Sequence, residues 1–268
     1  MSKIRVGCQT YTWEMLGSEW QGKVTDILDW LAEAGYQGIE ITSRMIGEFA
    51  ERPKDLKAEL DRRGLALAAF AYVAKSGYTD PDRWDEDLAG VRQGLAFLRE
   101  FPEPILGLGG PSSPSHADAR QKIDQAIRFY HAAGRLAVAE GARIRIHPNS
   151  HSLALSAEDY DYLFDRLDPS LAGFCPDTGH IVRGGQELLP CLRRHLARII
   201  HVHLKDVTAA GEWVAMGEGS CDFPAVMALL ESAGYTGWII AEEESEAARR
   251  DGVGAIRKNR AYLRSIGF

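Results

Sequence analysis

The sequence has no long apolar run, no cysteine pair and no excess of positive charge, and each absence removes a class of function. No run of apolar residues approaches the ~20 needed to cross a bilayer as a helix, and the opening MSKIRVGCQT lacks a secretory h-region. The expectation is therefore a soluble, cytoplasmic chain with no membrane attachment. Cys8, Cys175, Cys191 and Cys221 are scattered, with no CxxC and no zinc-ribbon spacing, which reads as reduced thiols in a chain long enough to bury a large core. Thirty-one basic residues stand against 38 acidic ones, a net charge of −7, so the chain has no general attraction for phosphate backbones or anionic membranes. No GxGxxG opens the first helix. The first strand runs instead into Gln9-Thr10-Tyr11-Thr12-Trp13, which makes no phosphate cradle and argues against a doubly wound dinucleotide fold. Linkers, low-complexity tracts and charge segregation are missing too, so residues 1–268 are expected to form one domain.

What is present is alternation. Eight short runs rich in Val, Ile and Leu, namely 4–10, 38–42, 65–72, 104–109, 143–148, 172–177, 198–205 and 237–242, alternate with segments of helical spacing. Val24, Ile27, Leu28 and Leu31 make one apolar stripe. Ile123, Ile127, Tyr130 and Ala137 make a second, and Phe223, Val226, Met227 and Leu230 a third. A last helix is expected from about Ala247 to Arg264, with Val253, Ile256 and Leu263 facing inward. Gly35, Gly64, Gly141 and Gly234 each fall just past a helix, where a left-handed cap is wanted. Eight strand–helix repeats over this length are the arithmetic of an α/β protein built as a single (β/α)8 TIM barrel.

In such a barrel the chemistry lies at the C-terminal strand ends, and four late runs end in groups that bind metals or move protons. The fifth ends in Ile146-His147-Pro148-Asn149, the sixth in Asp177-Thr178-Gly179-His180, the seventh in His201-Val202-His203-Leu204-Lys205-Asp206, and the eighth in Glu242-Glu243-Glu244. Side chains alternate along a strand, so His201, His203 and Lys205 share a face. With His203 in the barrel mouth, Lys205 stands above it and His201 deeper. Each piece also has a plain reading. The HxH is also a common hydrogen-bonded core pair, Asp177 a helix cap, Glu242–Glu244 a solvated acidic stretch, and His147 a strand terminus. Their recurrence at successive strand ends favours a metal or catalytic centre, and a mixed imidazole and carboxylate set suits Mn²⁺, Co²⁺, Zn²⁺ or Fe²⁺. Tyr11, Trp13 and Trp20 follow the first strand, either as a wall that stacks on a sugar or as loop packing. Arg183 and Arg44, near strand ends, are candidates for recognising a phosphate.

Asp177-Thr178-Gly179-His180, the His201–Asp206 run and Gly237-Trp238-Ile239-Ile240-Ala241-Glu242 resemble the xylose isomerase-like barrel family. So do Ala34-Gly35-Tyr36-Gln37-Gly38-Ile39-Glu40, Gly217-Glu218-Gly219 ahead of Asp222-Phe223, and Lys258–Leu263. That family holds sugar isomerases and epimerases, inosose dehydratases and, more distantly, apurinic endonucleases. The resemblance implies Asp177, His203 and Glu242 as metal ligands. It implies His180 as a histidine that meets substrate, or a second metal as in other branches, and Asn149 stands where many members carry another His. The epimerase pattern has Glu at the fifth strand end, where this chain has His147. Taken as the fourth ligand, His147 gives a two-histidine, two-carboxylate site and looks more like the inosose dehydratase branch. The resemblance allows a homo-oligomer.

By this reading the first choice is a metal-dependent isomerase or epimerase that removes a proton beside the carbonyl of a ketose or related polyol. Glu242 is ligand and base, Lys205 faces the developing oxyanion, and the second proton carrier is His147, Lys205 or His180. His180, Asn149, Arg183, Tyr11 and Trp13 are the candidate substrate contacts. The second choice is an inosose dehydratase-like lyase acting on a ketocyclitol. The third is a sugar-binding barrel without catalysis. A nuclease of the apurinic type would need extra histidines on the second and third strands. Those strands end Glu40-Ile41-Thr42 and Phe70-Ala71-Tyr72, so no nucleic-acid partner is expected.

Overall fold

A computed structural model describes residues 3–268; Met1 and Ser2, which open the leader and single-domain readings, lie outside the described residues. In chain order the elements are β1 (Arg5–Gln9), α1 (Tyr11–Glu14), α2 (Val24–Ala34), β2 (Gly38–Thr42), α3 (Pro53–Arg62), β3 (Ala66–Tyr72), α4 (Trp84–Leu98) and β4 (Ile105–Gly109). Then follow α5 (Ala119–Ala139), β5 (Arg143–His147), α6 (Ala157–Arg166), β6 (Ala172–Phe174), α7 (Thr178–Arg183), α8 (Leu188–Arg194) and β7 (Val202–Leu204). The chain closes with β8 (Asp206–Val207), β9 (Trp213–Val214), α9 (Phe223–Ser232), β10 (Trp238–Ala241), α10 (Glu246–Arg250) and α11 (Gly252–Ser265). This is the α/β strand–helix alternation expected. Backbone packing divides the chain into two units, one formed by the segment up to Ala68 together with His201–Phe268, the other by Ala69–Ile200, so the boundary falls inside β3.

In the first unit β1 pairs in parallel with β2 on one side and β10 on the other, and β10 pairs with β7. Such strands are covered on both faces, which is why they read as apolar runs rather than alternating ones. Ala68, Trp238 and Ile240 form a small core cluster. Gly38 is required there, because a Cβ at this position would stand 2.5 Å from the Trp238 ring. The α2 stripe of Val24, Ile27, Leu28 and Leu31 is buried as its spacing predicts, and so is the α9 stripe of Phe223, Val226, Met227 and Leu230. Gly35 ends α2 at φ 82°, a left-handed cap that a side chain would strain. The β8–β9 ladder is a separate two-stranded antiparallel hairpin after β7.

In the second unit β3, β4, β5 and β6 pair in parallel in that order. Helix α5 buries Ile123, Ile127, Tyr130 and Ala137, the stripe read from the sequence.

The sequence reading needs three corrections. The sixth and seventh ladder strands are shorter than their apolar runs. Pro176 has no N–H to extend β6, and Leu196–Arg198 takes a 3₁₀ turn before β7. The single last helix is two, because Asp251 leaves the helical backbone conformation and its carboxylate accepts the Gly254 N–H at 2.8 Å, starting α11 afresh. Among the described residues there are eleven α-helices rather than eight, α1, α8 and α10 being the short additions. All four cysteines are free and buried. No helix among the described residues is long and apolar enough to cross a membrane.

Candidate metal and proton-transfer site

Within the first unit polar groups gather along β2 and β7 and at the C-terminal ends of β1 and β10. His201, His203 and Lys205 are buried and share one face, as strand alternation requires: both imidazoles reach Glu40, while His203 and Lys205 reach Glu242. His203 Nδ1 lies 2.5 Å from Glu242 Oε2, and its Nε2 lies 3.1 Å from Glu40 Oε2. His201 Nε2 is 2.8 Å from the same Glu40 oxygen. Lys205 Nζ donates to Glu242 Oε1 at 2.7 Å and also to Glu244. Its ammonium sits 4.8 Å from the ring centre of Trp213, on the β8–β9 hairpin. Burial pushes the Glu244 carboxyl up to about 7, against the opposing pull of Lys205.

Alternation also separates residues that the sequence sets side by side. Asp206 turns to the other face, where its carboxylate accepts N–H groups from Val207, Gly217, Gly219 and Cys221 at 2.9–3.1 Å and ties down the loop before α9. Glu243 likewise leaves its neighbours and accepts from Ser245 N and Asn259 Nδ2. The Glu242–Glu244 stretch is therefore no solvated acidic run: Glu242 and Glu244 serve Lys205, and Glu243 anchors α11.

Of the aromatic candidates, Tyr11 is half-buried, with its phenol pushed up first by burial and then by Glu244. Trp13 is only 2% exposed and stacks on Trp30 at 5.7 Å between ring centres, with Trp20 at 6.1 Å. That is the packing arrangement of the two open at this residue. Arg44 is exposed and pairs with Glu14.

The second unit holds a smaller cluster at the ends of β5 and β6. Asp177 is fully buried and does two things: Oδ1 accepts the His180 N–H at 2.9 Å and caps α7, while Oδ2 faces His147 Nε2 at 3.4 Å. His180 Nδ1 accepts the Ser150 N–H at 3.1 Å, so in the neutral ring the proton sits on Nε2, which makes that nitrogen a donor. The His147 and His180 rings meet edge to face, 5.8 Å between centres. Asn149 is spent on its own turn, its Oδ1 accepting from His151 N at 2.9 Å. Arg183 is exposed in the last turn of α7.

Sequence reasoning passed over Glu40 and Trp213. Glu40 carried a signal, an acid inside the otherwise apolar β2; Trp213 sits in a hairpin too short to show a period.

The donor chemistry fits a divalent cation. His203 stands between two carboxylates, with Nε2 3.1 Å from Glu40 and Nδ1 2.5 Å from Glu242. Imidazole nitrogens and carboxylate oxygens gathered this closely are ligand types that a divalent cation accepts.

Comparison with known proteins agrees with this architecture. The profile of the xylose isomerase-like TIM barrel matches residues 28–266. Inosose dehydratase from Geobacillus thermodenitrificans is 26% identical, with 98% of this chain and 97% of that protein covered. D-psicose 3-epimerase from Clostridium cellulolyticum H10, solved with D-tagatose, shares the fold at TM-score 0.79 and 15% identity over 98% of each chain. The IOLI protein, solved with a bound zinc atom, does so at TM-score 0.84 and 13% identity, again over 98% of each chain. The sequence relatives are thus enzymes named as dehydratases, and an epimerase shares the fold. The chain belongs to the xylose isomerase-like TIM barrel family, and its fold is that (β/α)8 barrel.

Proposed function

We propose that this protein is a divalent-metal-dependent lyase that removes water from a ketocyclitol of the inosose class, starting with proton abstraction beside the ketone. The observation that carries the reading is the buried Lys205–Glu242–His203 contact, in which one carboxylate is set between an ammonium and an imidazole. The near full-length similarity to inosose dehydratase supports dehydration as the outcome. So does His147, an imidazole where the two-carboxylate epimerase pattern has its second base. The isomerase or epimerase outcome placed first from the sequence shares the initial step and differs in where the proton returns.

His147, Asp177, His203 and Glu242 are the proposed ligands. The cation they hold, Mn²⁺, Co²⁺, Zn²⁺ or Fe²⁺, supplies Lewis acidity at the substrate carbonyl. Glu242 takes the proton from the carbon beside the ketone, and the C–H electron pair becomes the enolate double bond. The Lys205 ammonium faces the charge that develops on oxygen. Collapse of the enolate expels the beta-hydroxyl, which leaves as water with a proton from His180 Nε2. The pairing of Lys205 with both Glu242 and Glu244 holds the ammonium in place. Tyr11 and Trp213 are the proposed aromatic wall, and the outer rim includes Asn149 and Arg183. The whole chain, residues 1–268, is proposed to act as one domain.

The test is incubation of Mn²⁺-loaded protein with inosose and a panel of ketoses in D₂O, followed by NMR with and without chelator. Chelator-sensitive consumption of inosose with a new dehydrated product is the expected result. Deuterium incorporation with an isomeric product and no water loss assigns the epimerase outcome. Metal binding without exchange on any substrate assigns a binding protein.

A further inference from the structure

We infer that Glu14 is a specificity-determining residue: with the Tyr11 hydroxyl beside it, its carboxylate forms a subsite that reads a hydroxyl of a neutral polyol away from the reacting carbon. Tyr11 and Glu14 open and close α1, three positions apart and so on one side of its turn. The turn is fixed on both flanks. The Thr12 hydroxyl donates to the Glu243 carbonyl at 3.1 Å, which ties α1 to the segment that carries Glu242 and Glu244. On the other flank the Thr10 hydroxyl accepts the Thr42 N–H at 3.3 Å, and the Thr42 hydroxyl donates to Glu14 Oε2. Thr42 stands two residues beyond Glu40 and on the same face of β2, the face from which Glu40 meets His201 and His203. The Tyr11 phenol is acted on by Glu244, Lys205 and Glu242 as well as by Glu14, so it stands between the proton-transfer groups and the Glu14 carboxylate.

The donor and acceptor count fits a hydroxyl. The Glu14 side chain is 10% exposed, and a carboxylate offers about four acceptor positions. Thr42 takes one of them, and Arg44 comes no nearer than 3.5 Å to the other oxygen. The Tyr11 hydroxyl has no hydrogen-bond partner among the described residues. A polyol hydroxyl both donates and accepts, which matches an acid next to a phenol. A phosphate does not match, because the carboxylate repels it and offsets the charge of Arg44, which is itself 66% exposed. The turnover part of this inference rests on the cyclitol reading proposed above; the binding part does not.

The experiment has two arms. In the first, Mn²⁺-loaded wild type and Glu14→Met, which keeps the length and removes the acceptors, are assayed on inosose and its monodeoxy analogues. KM for inosose is expected to rise about 10–100-fold in the variant with kcat little changed, the pattern of a contact made equally before and during the reaction. One monodeoxy analogue is expected to show the same loss in the wild type and no further loss in Glu14→Met. Tyr11→Phe is expected to raise KM about 2–10-fold. In the second arm, calorimetry with myo-inositol is expected to show binding to the wild type that weakens about 10–100-fold in Glu14→Met. An unchanged KM in Glu14→Met overturns the inference, and so does a further loss on every monodeoxy analogue. Tighter binding of an inositol phosphate than of myo-inositol by the wild type overturns it too. If the wild type turns over no inosose or ketose, the proposed function fails and the second arm decides: equal binding by the two proteins, or none by either, overturns the subsite. If Glu14→Met does not fold, Glu14→Gln, which keeps an acceptor for Thr42, takes its place on the same substrates.

Discussion

Lys205 Nζ lies 2.7 Å from Oε1 of Glu242, and the lysine side chain is 1% exposed against 7% for the glutamate. An ammonium this deep is held by its carboxylates, and the proposed role of the pair is to meet charge that develops on a substrate oxygen. Lys205→Met keeps the length and removes the charge. The expected result is a fall in kcat/KM of about 10²–10³, the scale of losing a preorganised charge partner. A stability loss of about 3–5 kcal/mol should accompany it, because two acidic side chains keep their burial and lose the ammonium. Steady-state kinetics and denaturant melts measure the two separately. Wild-type turnover in the variant removes Lys205 from the chemistry.

Asp177 separates a structural duty from a proposed chemical one within a single carboxylate. Oδ1 caps α7 at the His180 N–H, and Oδ2 faces His147. Asp177→Asn keeps an oxygen for the cap, so melting should move little while bound metal and turnover are lost. Asp177→Ala should lose both, with about 1 kcal/mol of stability gone from the cap. Metal content after dialysis and thermal melts on the two variants check the split.

Asp206 gathers four backbone N–H groups, from Val207, Gly217, Gly219 and Cys221. Hydrogen bonds to a charged acceptor are among the stronger ones, so Asp206→Ala should cost about 2–3 kcal/mol. Amide hydrogen exchange should quicken at Gly217, Gly219 and Cys221 before it changes in α9. Uniform protection across the loop would show that the carboxylate does not hold it.

His195 gives the fold a pH dependence of known sign. It is buried against Tyr160, Phe164 and Phe174, and burial lowers its pKa, partly offset by Asp161 and reinforced by Arg194. Asp165 and Arg198, the other charged groups that act on it, raise and lower it respectively. A histidine with a folded-state pKa below its unfolded value, about 6.5, contributes stability above that pH and loses it as pH falls through the folded value. Urea melts from pH 7 to pH 5 should therefore show stability declining on the acid side, and His195→Phe should flatten that decline. An unchanged slope in the variant assigns the acid sensitivity elsewhere.

The strand–helix order and the strand-end candidates were legible because they follow from local rules. Buried parallel strands are continuous apolar runs, and polar residues at their C-terminal ends stand out against them. Alternation also separated His203 and Lys205 from Asp206 in principle. What it could not reveal was the loop that Asp206 holds, because those partners lie 11–15 residues downstream. The role of Glu40 was hidden for the same reason on a larger scale. The acid stands out in Gly38-Ile39-Glu40-Ile41-Thr42, but its partners His201 and His203 are 161 and 163 residues away. The break between α10 and α11 depended on the conformation of Asp251, which helical periodicity on either side conceals. Trp13 shows the limit of composition: Tyr11, Trp13 and Trp20 after the first strand can wall a pocket or pack together, and for Trp13 the contacts with Trp20 and Trp30 are those of packing.

The most direct measurement is anomalous diffraction from crystals grown with Mn²⁺. The account predicts one strong anomalous peak at coordination distance from His203 Nδ1, Glu242, Asp177 Oδ2 and His147, absent in His203→Asn crystals grown the same way. Full Mn²⁺ occupancy at some other place with none at these four residues, or a wild-type crystal with no peak at all, would contradict it.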